Sequence, residues 1–155
     1  MVRYVLEKDQ PNTQVYLKTF EHMCKRIPKS KKGYKYNKDH LRKFFIECTT
    51  TLFTGVFEGE QLARILDRML CVGEFVIISV MVLITEQLET VKMETLHYER
   101  AKVLIIQKAK DIDFMKLCFT LMNCNSDKQI FKEYLQERRV KEGLEIGFSQ
   151  MMENR

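Results

Sequence analysis

An uninterrupted apolar stretch at residues 73–88, GEFVIISVMVLITEQL, constrains this chain more than any other feature. Every residue from 75 to 84 except Ser79 is apolar, and no charge lies between Glu74 and Glu86. A helix with no polar face must be enclosed by other elements. Its charge-free part would span roughly 17 Å, well short of the roughly 30 Å of a bilayer core. We therefore predict a buried central helix rather than a membrane span. A buried strand would also suit the β-branched residues, but it needs neighbours of similar character, and the sequence has none.

The composition favours a helical fold around that stretch. The chain has 155 residues, a length typical of one domain with one core. Six glycines and two prolines are few for a sheet protein of this size, which needs many turn residues. The sequence thus predicts an all-α fold: a single-domain bundle over residues 1–155, with about seven or eight helices wrapped around the central hydrophobic helix.

Three amphipathic helices are predicted before the central one. The first follows Asn12, a candidate N-cap, and ends at Pro28; its apolar stripe is Tyr16, Phe20, Met23, Cys24 and Ile27. The second follows Asn37, also a candidate N-cap, and ends near Gly55; its stripe is Leu41, Phe44, Phe45, Cys48 and Leu52. The third carries Leu62, Ile65, Leu66, Met69 and Leu70 on one face, with Arg64, Asp67 and Arg68 on the other.

The helical signals beyond the central stretch are weaker. Residues 91–111 have helical composition, and residues 114–122 form a shorter apolar segment. Ser126 with Gln129 has the spacing of a capping box, which marks the start of another helix. We expect Gly143 and Gly147 to interrupt the final segment.

Basic residues are concentrated in one part of the chain. Residues 25–43 hold nine basic residues and one acid, Asp39, for a local charge of +8, whereas the whole chain carries +5. Within this segment we predict a basic loop at residues 28–38, with Gly33 in its middle. Tyr34 and Tyr36 lie between lysines and could stack on bases, so nucleic-acid binding is one interpretation. A solvated connection between two helices is the other, and the favoured one.

Sequence motifs for catalysis and for metal binding are missing. The chain contains no Gly-rich phosphate loop, HExxH or GxSxG. Its five cysteines form no CxxC pair, and its three histidines lack the spacing of a zinc site. We therefore expect no enzymatic activity, no cofactor and no metal. The first ten residues lack an apolar run long enough for a secretory signal, and the closing MENR offers no tail anchor. A cytoplasmic protein with free thiols is expected.

Two motifs in this helical order resemble the Bcl family of apoptosis regulators, particularly its divergent viral members. CVGE at residues 71–74, followed by FVIISV, occupies the place of the family's first homology motif, Asn-Trp-Gly-Arg and an apolar run. EGLEIGF at residues 142–148 resembles the second homology motif, and residues 41–47 lie where the family has its third homology helix. The resemblance implies a helical bundle with a surface groove for an amphipathic partner helix.

The resemblance also implies a function and a site. The protein would sequester the death (BH-three) helix of pro-apoptotic partners such as Bim-like proteins, and so inhibit host-cell apoptosis. Two alternatives to this function are a viral Bcl-fold inhibitor of innate immune signalling and a nucleic-acid-binding helical protein acting through residues 25–43. Dimerisation through the groove face and a peripheral position at mitochondria through partners are further expectations. The implied groove residues are Phe44, Phe45, Cys48, Leu52, Leu62, Ile65, Leu66, Met69, Val72, Gly73 and Phe75, with Arg64, Arg68 and Glu74 at the rim.

Overall fold

The computed structural model describes residues 12–27, 33–123 and 125–153 and consists there of helices without strands. The prediction of an all-helical bundle is confirmed. Seven helices lie within the described residues: α1 (Thr13–Cys24), α2 (Gly33–Thr51), α3 (Gly59–Val72), α4 (Phe75–Gln87), α5 (Tyr98–Ala109), α6 (Phe114–Asn123) and α7 (Asn125–Glu153).

Helix α4 is the centre of the bundle, as the apolar stretch predicts. All its residues from Phe75 to Thr85 are buried, and it packs against α1, α2, α3, α5 and α6. Gly73 separates α3 from α4 with a φ of 98°, a conformation that side chains with a Cβ rarely adopt. None of the helices in the described part of the chain is both long and apolar enough to cross a bilayer.

Aromatic rings fill the space between α1 and α2. The ring of Phe20 stacks on that of Phe45 with centroids 5.0 Å apart, and it meets Tyr34 edge-on at 5.3 Å. Phe44 is also buried, at 1% exposure. The apolar stripes predicted for these two helices therefore face each other and the central helix.

Helix α2 begins earlier than the sequence indicates. We predicted a basic loop at residues 28–38; residues 28–32 lie outside the described residues, and residues 33–38 are helical. Asn37 does not cap a new helix but lies at a kink, with φ −123° and ψ 24°. Its side chain instead bonds across to residues 91–93, where the predicted helix over 91–111 is replaced by a loop that lasts until Tyr98.

Helix α2 also ends before the predicted Gly55. The hydroxyls of Thr49 and Thr50 both donate to the carbonyl of Ile46, a contact that competes with regular helical hydrogen bonding. Leu52 and Phe53 then adopt positive φ angles of 50° and 62°. Such angles cost free energy in residues other than glycine and persist only where packing demands them, and Phe53 is indeed completely buried.

Helix α7 is longer than predicted, because it runs through Gly143 and Gly147 without a break. Its 29 residues correspond to roughly 44 Å. The first half packs on α1, where the rings of Phe131 and Tyr16 lie 5.8 Å apart and Asp127 pairs with Arg26. Among the side chains that the structure describes in the second half, the large apolar ones of Val140, Leu144, Met151 and Met152 are exposed.

Candidate functional site

A cleft of about 420 Å³ lies between α3 and α6. Two short runs of residues that are far apart in the sequence form it, the outer face of α3 and the start of α6. We call it the arginine cleft, and its lining residues are Arg64, Asp67, Arg68, Cys71, Phe114, Met115, Leu117 and Cys118.

The burial pattern of α3 points the two arginines outward. Ile65 is completely buried, while Leu62 and Met69 are partly buried against the core. This apolar side of the helix anchors it, so residues on the opposite side face the solvent and α6. The sequence correctly predicts outward positions for Arg64, Asp67 and Arg68, but it also places Leu70 on the apolar face, whereas Leu70 is 86% exposed.

The two arginines differ in their pairing. Nη2 of Arg64 lies 2.5 Å from Oε1 of Glu60, an exposed pair one helical turn apart. Arg68 has no ion-pair partner among the residues that the structure describes, and it is exposed. A guanidinium group carries a permanent charge and several donors in a planar fork, which suits it to phosphate or carboxylate oxygens. The arginine cleft therefore offers one unengaged cation to an anionic group on a partner.

Apolar surface accompanies these charges. Met115 lines the cleft with 78% of its surface exposed, and Phe114 lines it beside Met115. Leu70, also on α3 but outside the lining of the cleft, is 86% exposed. Exposed apolar residues beside a charged group are typical of protein contact sites.

A second cleft, of about 310 Å³, lies on another side of α3. Residues from α1, α2, α3 and α4 line it, including Tyr16, Leu52, Met69 and Glu74. Burial and a hydrogen bond to Glu74 raise the pKa of Tyr16 above its ordinary value of 10.0. The hydroxyl therefore stays protonated and acts as a donor to the carboxylate.

The structure does not bring the predicted groove residues together in one surface groove. Phe44, Phe45, Cys48, Ile65 and Phe75 are at most 4% exposed and belong to the core. Among the others, Leu52, Met69 and Glu74 meet at the smaller cleft, whereas the predicted rim residues Arg64 and Arg68 lie at the arginine cleft. Leu62, Leu66 and Gly73 are half-buried, and Val72 is 41% exposed.

Sequence reasoning missed the contribution of α6 to the arginine cleft. Residues 114–122 read as a short apolar segment, and nothing in their spacing marks Phe114 and Met115 as partners of Arg68. The available signal was the outward face of α3, which holds two arginines and Asp67 within five residues. A cationic face on an anchored helix suggests a contact with something beyond the chain.

The buried thiols of Cys24 and Cys48 are not reactive nucleophiles. Burial raises the pKa of Cys24 and of Cys48 above the ordinary 9.0, so both thiols remain protonated and inert. Cys71 and Cys118 are free and lie at the arginine cleft. Within residues 12–27, 33–123 and 125–153, no three histidine, cysteine or acidic side chains are placed to hold a metal ion.

The family model described as the Rab-GTPase-TBC domain matches residues 1–93. No curated protein and no solved structure matches the chain. The matched segment contains the described helices α1 to α4 and ends at Met93, where Asn37 binds the backbone. Arg64 and Arg68 thus lie inside the match, and the α6 side of the cleft lies outside it.

This match contradicts the resemblance to the Bcl family. The predictions of a viral anti-apoptotic protein, of Bim-like partner helices and of a groove-mediated homodimer are wrong, because the matching domain points to Rab GTPases as partners. Neither alternative, immune signalling or nucleic-acid binding, is supported. Amphipathic helices around one apolar helix recur in unrelated all-α proteins, so helix order alone did not discriminate between families.

The expectation of no enzymatic activity also needs revision. Domains of the matching family are GTPase-activating, which means that they accelerate the hydrolysis of GTP by another protein. Such an activity requires no nucleotide-binding loop in the domain itself, and the absence of one from the sequence was therefore no argument against it. Since the match spans 93 of the 155 residues, more than half, the chain belongs to the Rab-GTPase-TBC domain family.

Proposed function

We propose that this protein binds a Rab GTPase through the arginine cleft and accelerates GTP hydrolysis by that GTPase. The observation that carries the proposal is the position of Arg68. It lies within the segment that matches the family, on a helix anchored by the buried Ile65, and it is exposed without an ion-pair partner among the described residues.

The chemistry of GTP hydrolysis explains why a free arginine is useful. Negative charge spreads over the oxygens of the transferred phosphoryl group in the transition state, and an arginine supplied by an activating protein stabilises it. Such an arginine is worth roughly 10³ to 10⁵ in kcat. The nucleotide, the magnesium ion and the attacking water belong to the GTPase, and this chain supplies the cation and the docking surface.

Arg68 fits this role better than Arg64. To reach a phosphate, Arg64 must first give up its contact with Glu60, whereas Arg68 has no such contact to lose. Arg64 suits docking instead, because its exposed pair with Glu60 can form polar contacts with the GTPase. We assign Arg68 to the reaction and Arg64 to docking.

The apolar part of the cleft supplies binding energy. Buried anchor residues dominate the energetics of protein interfaces, and charged residues mainly give orientation and rate of encounter. Met115 and Phe114 lie directly across the cleft from the arginines. A GTPase that covers them would bring its nucleotide site to Arg68.

The experiment is a panel of purified Rab GTPases loaded with GTP, with phosphate release followed in the presence and absence of the full chain. We expect one or more members to hydrolyse GTP faster. Arg68→Lys and Arg68→Ala should abolish the acceleration while binding to the GTPase, measured by calorimetry, is retained. Arg139→Lys, at an exposed position on α7, is the matched control and should behave as wild type.

Two results would overturn the proposal. If no Rab is bound or accelerated while circular dichroism confirms a folded helical chain, the function is wrong. If acceleration is present and Arg68→Ala leaves it unchanged, the protein is an activator but the assignment of Arg68 is wrong.

A further inference from the structure

We propose that the end of the bundle where α1 finishes and α2 starts binds the surface of an anionic lipid bilayer. This inference does not depend on the arginine cleft or on GTP hydrolysis. The cations that form this basic end are Lys25, Arg26, Lys35, Lys38, Arg42 and Lys43, all of them exposed.

Packing ties the first eleven residues of α2, which carry four of these cations, to the last turns of α1. The ring contact between Phe20 and Tyr34 places the start of α2 against the last turns of α1. Nε of Arg42 lies 3.2 Å from Oε1 of Glu21, a second tie between the helices. Lys25 and Arg26 directly follow Cys24, the last residue of α1, which lies near Tyr34 in the first turn of α2.

Half of these cations are already engaged. Arg26 pairs with Asp127, Arg42 pairs with Glu21, and Nζ of Lys43 lies 4.2 Å from the centroid of the Tyr98 ring. The other half, Lys25, Lys35 and Lys38, make no ion pair with any residue that the structure describes. The exposed acid nearby is Asp39, so this end keeps an excess of positive charge.

Charge is distributed unevenly along the chain. Residues 25–43 carry +8 while the whole chain carries +5, so the rest of the chain is about −3. A molecule with this asymmetry is oriented in an electric field, with its basic end toward a negative surface. The electrostatic attraction is concentrated where the lysines are, and the remainder of the molecule is weakly repelled.

A lipid surface fits these residues better than a specific acidic pocket on a protein. All four cations that are unpaired or bound only to a ring, Lys25, Lys35, Lys38 and Lys43, are lysines, which act as compact hydrated point charges. They suit a broad negative surface with mobile headgroups, whereas bidentate recognition of a carboxylate or phosphate favours arginine. Clusters of about four to eight basic residues are typical of binding to anionic lipids.

The test is co-sedimentation of the full chain with vesicles. Phosphatidylcholine vesicles with and without phosphatidylserine are compared at low and at high salt. We expect binding only when phosphatidylserine is present, and we expect salt to weaken it, because exposed charges are screened. Lys25→Gln, Lys35→Gln and Lys38→Gln combined should reduce the binding constant by roughly a hundredfold, at about fivefold for each lysine.

A second triple variant controls for total charge. Lys108→Gln, Lys110→Gln and Lys141→Gln remove the same charge from exposed positions in the last turn of α5, directly after α5 and on α7. At the start of α5, Tyr98 lies beside Lys43, and one turn later Lys102 pairs with Glu47, so α5 leads away from the basic end toward Lys108 and Lys110. This variant should bind vesicles at most about threefold more weakly than the wild type, because only long-range attraction is reduced.

Three results would overturn the proposal. The first is no sedimentation of the wild type with phosphatidylserine vesicles at low salt. The second is an equal loss of binding in both triple variants, since net charge rather than the basic end would then be responsible. The third is binding to soluble polyglutamate or heparin through the same lysines without any binding to vesicles, which would assign this surface to an acidic macromolecule instead.

Discussion

The side-chain amide of Asn37 forms hydrogen bonds with the backbone of Val91 and Met93, in the loop that follows the central helix α4. Its Oδ1 accepts a hydrogen bond from the Met93 N–H at 2.8 Å, and its Nδ2 donates one to the carbonyl of Val91 at 2.7 Å. Nε2 of His40 lies 2.9 Å from the carbonyl of Met93 and adds a third contact. The kink in α2 at Asn37 thus anchors the loop that follows α4.

Removing this amide should destabilise the protein. Asn37 is 1% exposed, so Asn37→Ala leaves the Met93 N–H buried without its acceptor, and we expect a loss of about 2 kcal/mol in the free energy of unfolding. Urea unfolding followed by circular dichroism measures it. Asp39→Ala, at an exposed position in the same helix, is the control and should change stability by less than about 0.5 kcal/mol. Equal values for the two variants would mean that the Asn37 contacts do not stabilise the fold.

The hydroxyl of Ser79 lies in the central helix. Unlike the Asn37 amide, it destabilises the fold. It is completely buried, and its Oγ has no hydrogen-bond partner among the described residues. Ser79→Ala removes the cost of burying that group, and we expect stability to rise by about 1 kcal/mol. The matched control is Thr85→Val in the same helix, because the Thr85 hydroxyl donates to the Met81 carbonyl at 2.8 Å and is satisfied. A similar gain from both substitutions would attribute the effect to helix hydrophobicity rather than to the unpaired hydroxyl.

Alkaline pH should destabilise the fold through its buried acids. Burial raises the pKa of Tyr16, Tyr34 and Tyr98 above the ordinary 10.0, and that of Cys24 and Cys48 above 9.0. Above these ordinary values the unfolded chain loses protons that the folded chain retains. The native state then binds more protons than the unfolded state, so stability falls as pH rises.

Thermal midpoints measured between pH 8 and pH 11 test this expectation. They should fall progressively from about pH 9 upward. Besides burial, the nearby Glu47 carboxylate raises the pKa of Tyr98, and Tyr98→Phe should therefore flatten the decline above pH 10. A midpoint that stays constant up to pH 11 would contradict the burial of these groups.

The docking surface of the proposed GTPase complex can be tested without touching an arginine. Met115 is 78% exposed, so Met115→Asp should leave stability unchanged and weaken binding of the GTPase about tenfold or more, because it places a charge in the apolar part of the cleft. Met151→Asp on α7, where Met151 is 65% exposed, is the control and should bind as wild type. Calorimetry with the responsive Rab gives both values. Undiminished binding by Met115→Asp would place the interface elsewhere.

The sequence by itself determined the elements with a clear hydrophobic pattern. The central helix follows from ten nearly uninterrupted apolar residues, since such a segment has no face to show to water. The orientation of α3 follows from the apolar stripe of Leu62, Ile65, Leu66, Met69 and Leu70, although Leu70 is exposed. The stripe also predicts outward positions for Arg64 and Arg68. In both cases the pattern lies within one helix. The regular geometry of a helix means that the spacing of residues predicts the face on which their side chains lie.

Only the tertiary structure decided which helices meet. The partners of Asn37 lie 54 and 56 residues further along the chain, and no local pattern reveals such a contact. The same holds for the arginine cleft, whose two sides are separated by the whole of α4 and α5. Phe44, Phe45 and Ile65 show the limit most clearly: an apolar stripe predicts that a residue avoids water but not whether a neighbouring helix or a partner covers it. That choice depends on packing among all the helices, and the packing assigned these residues to the core.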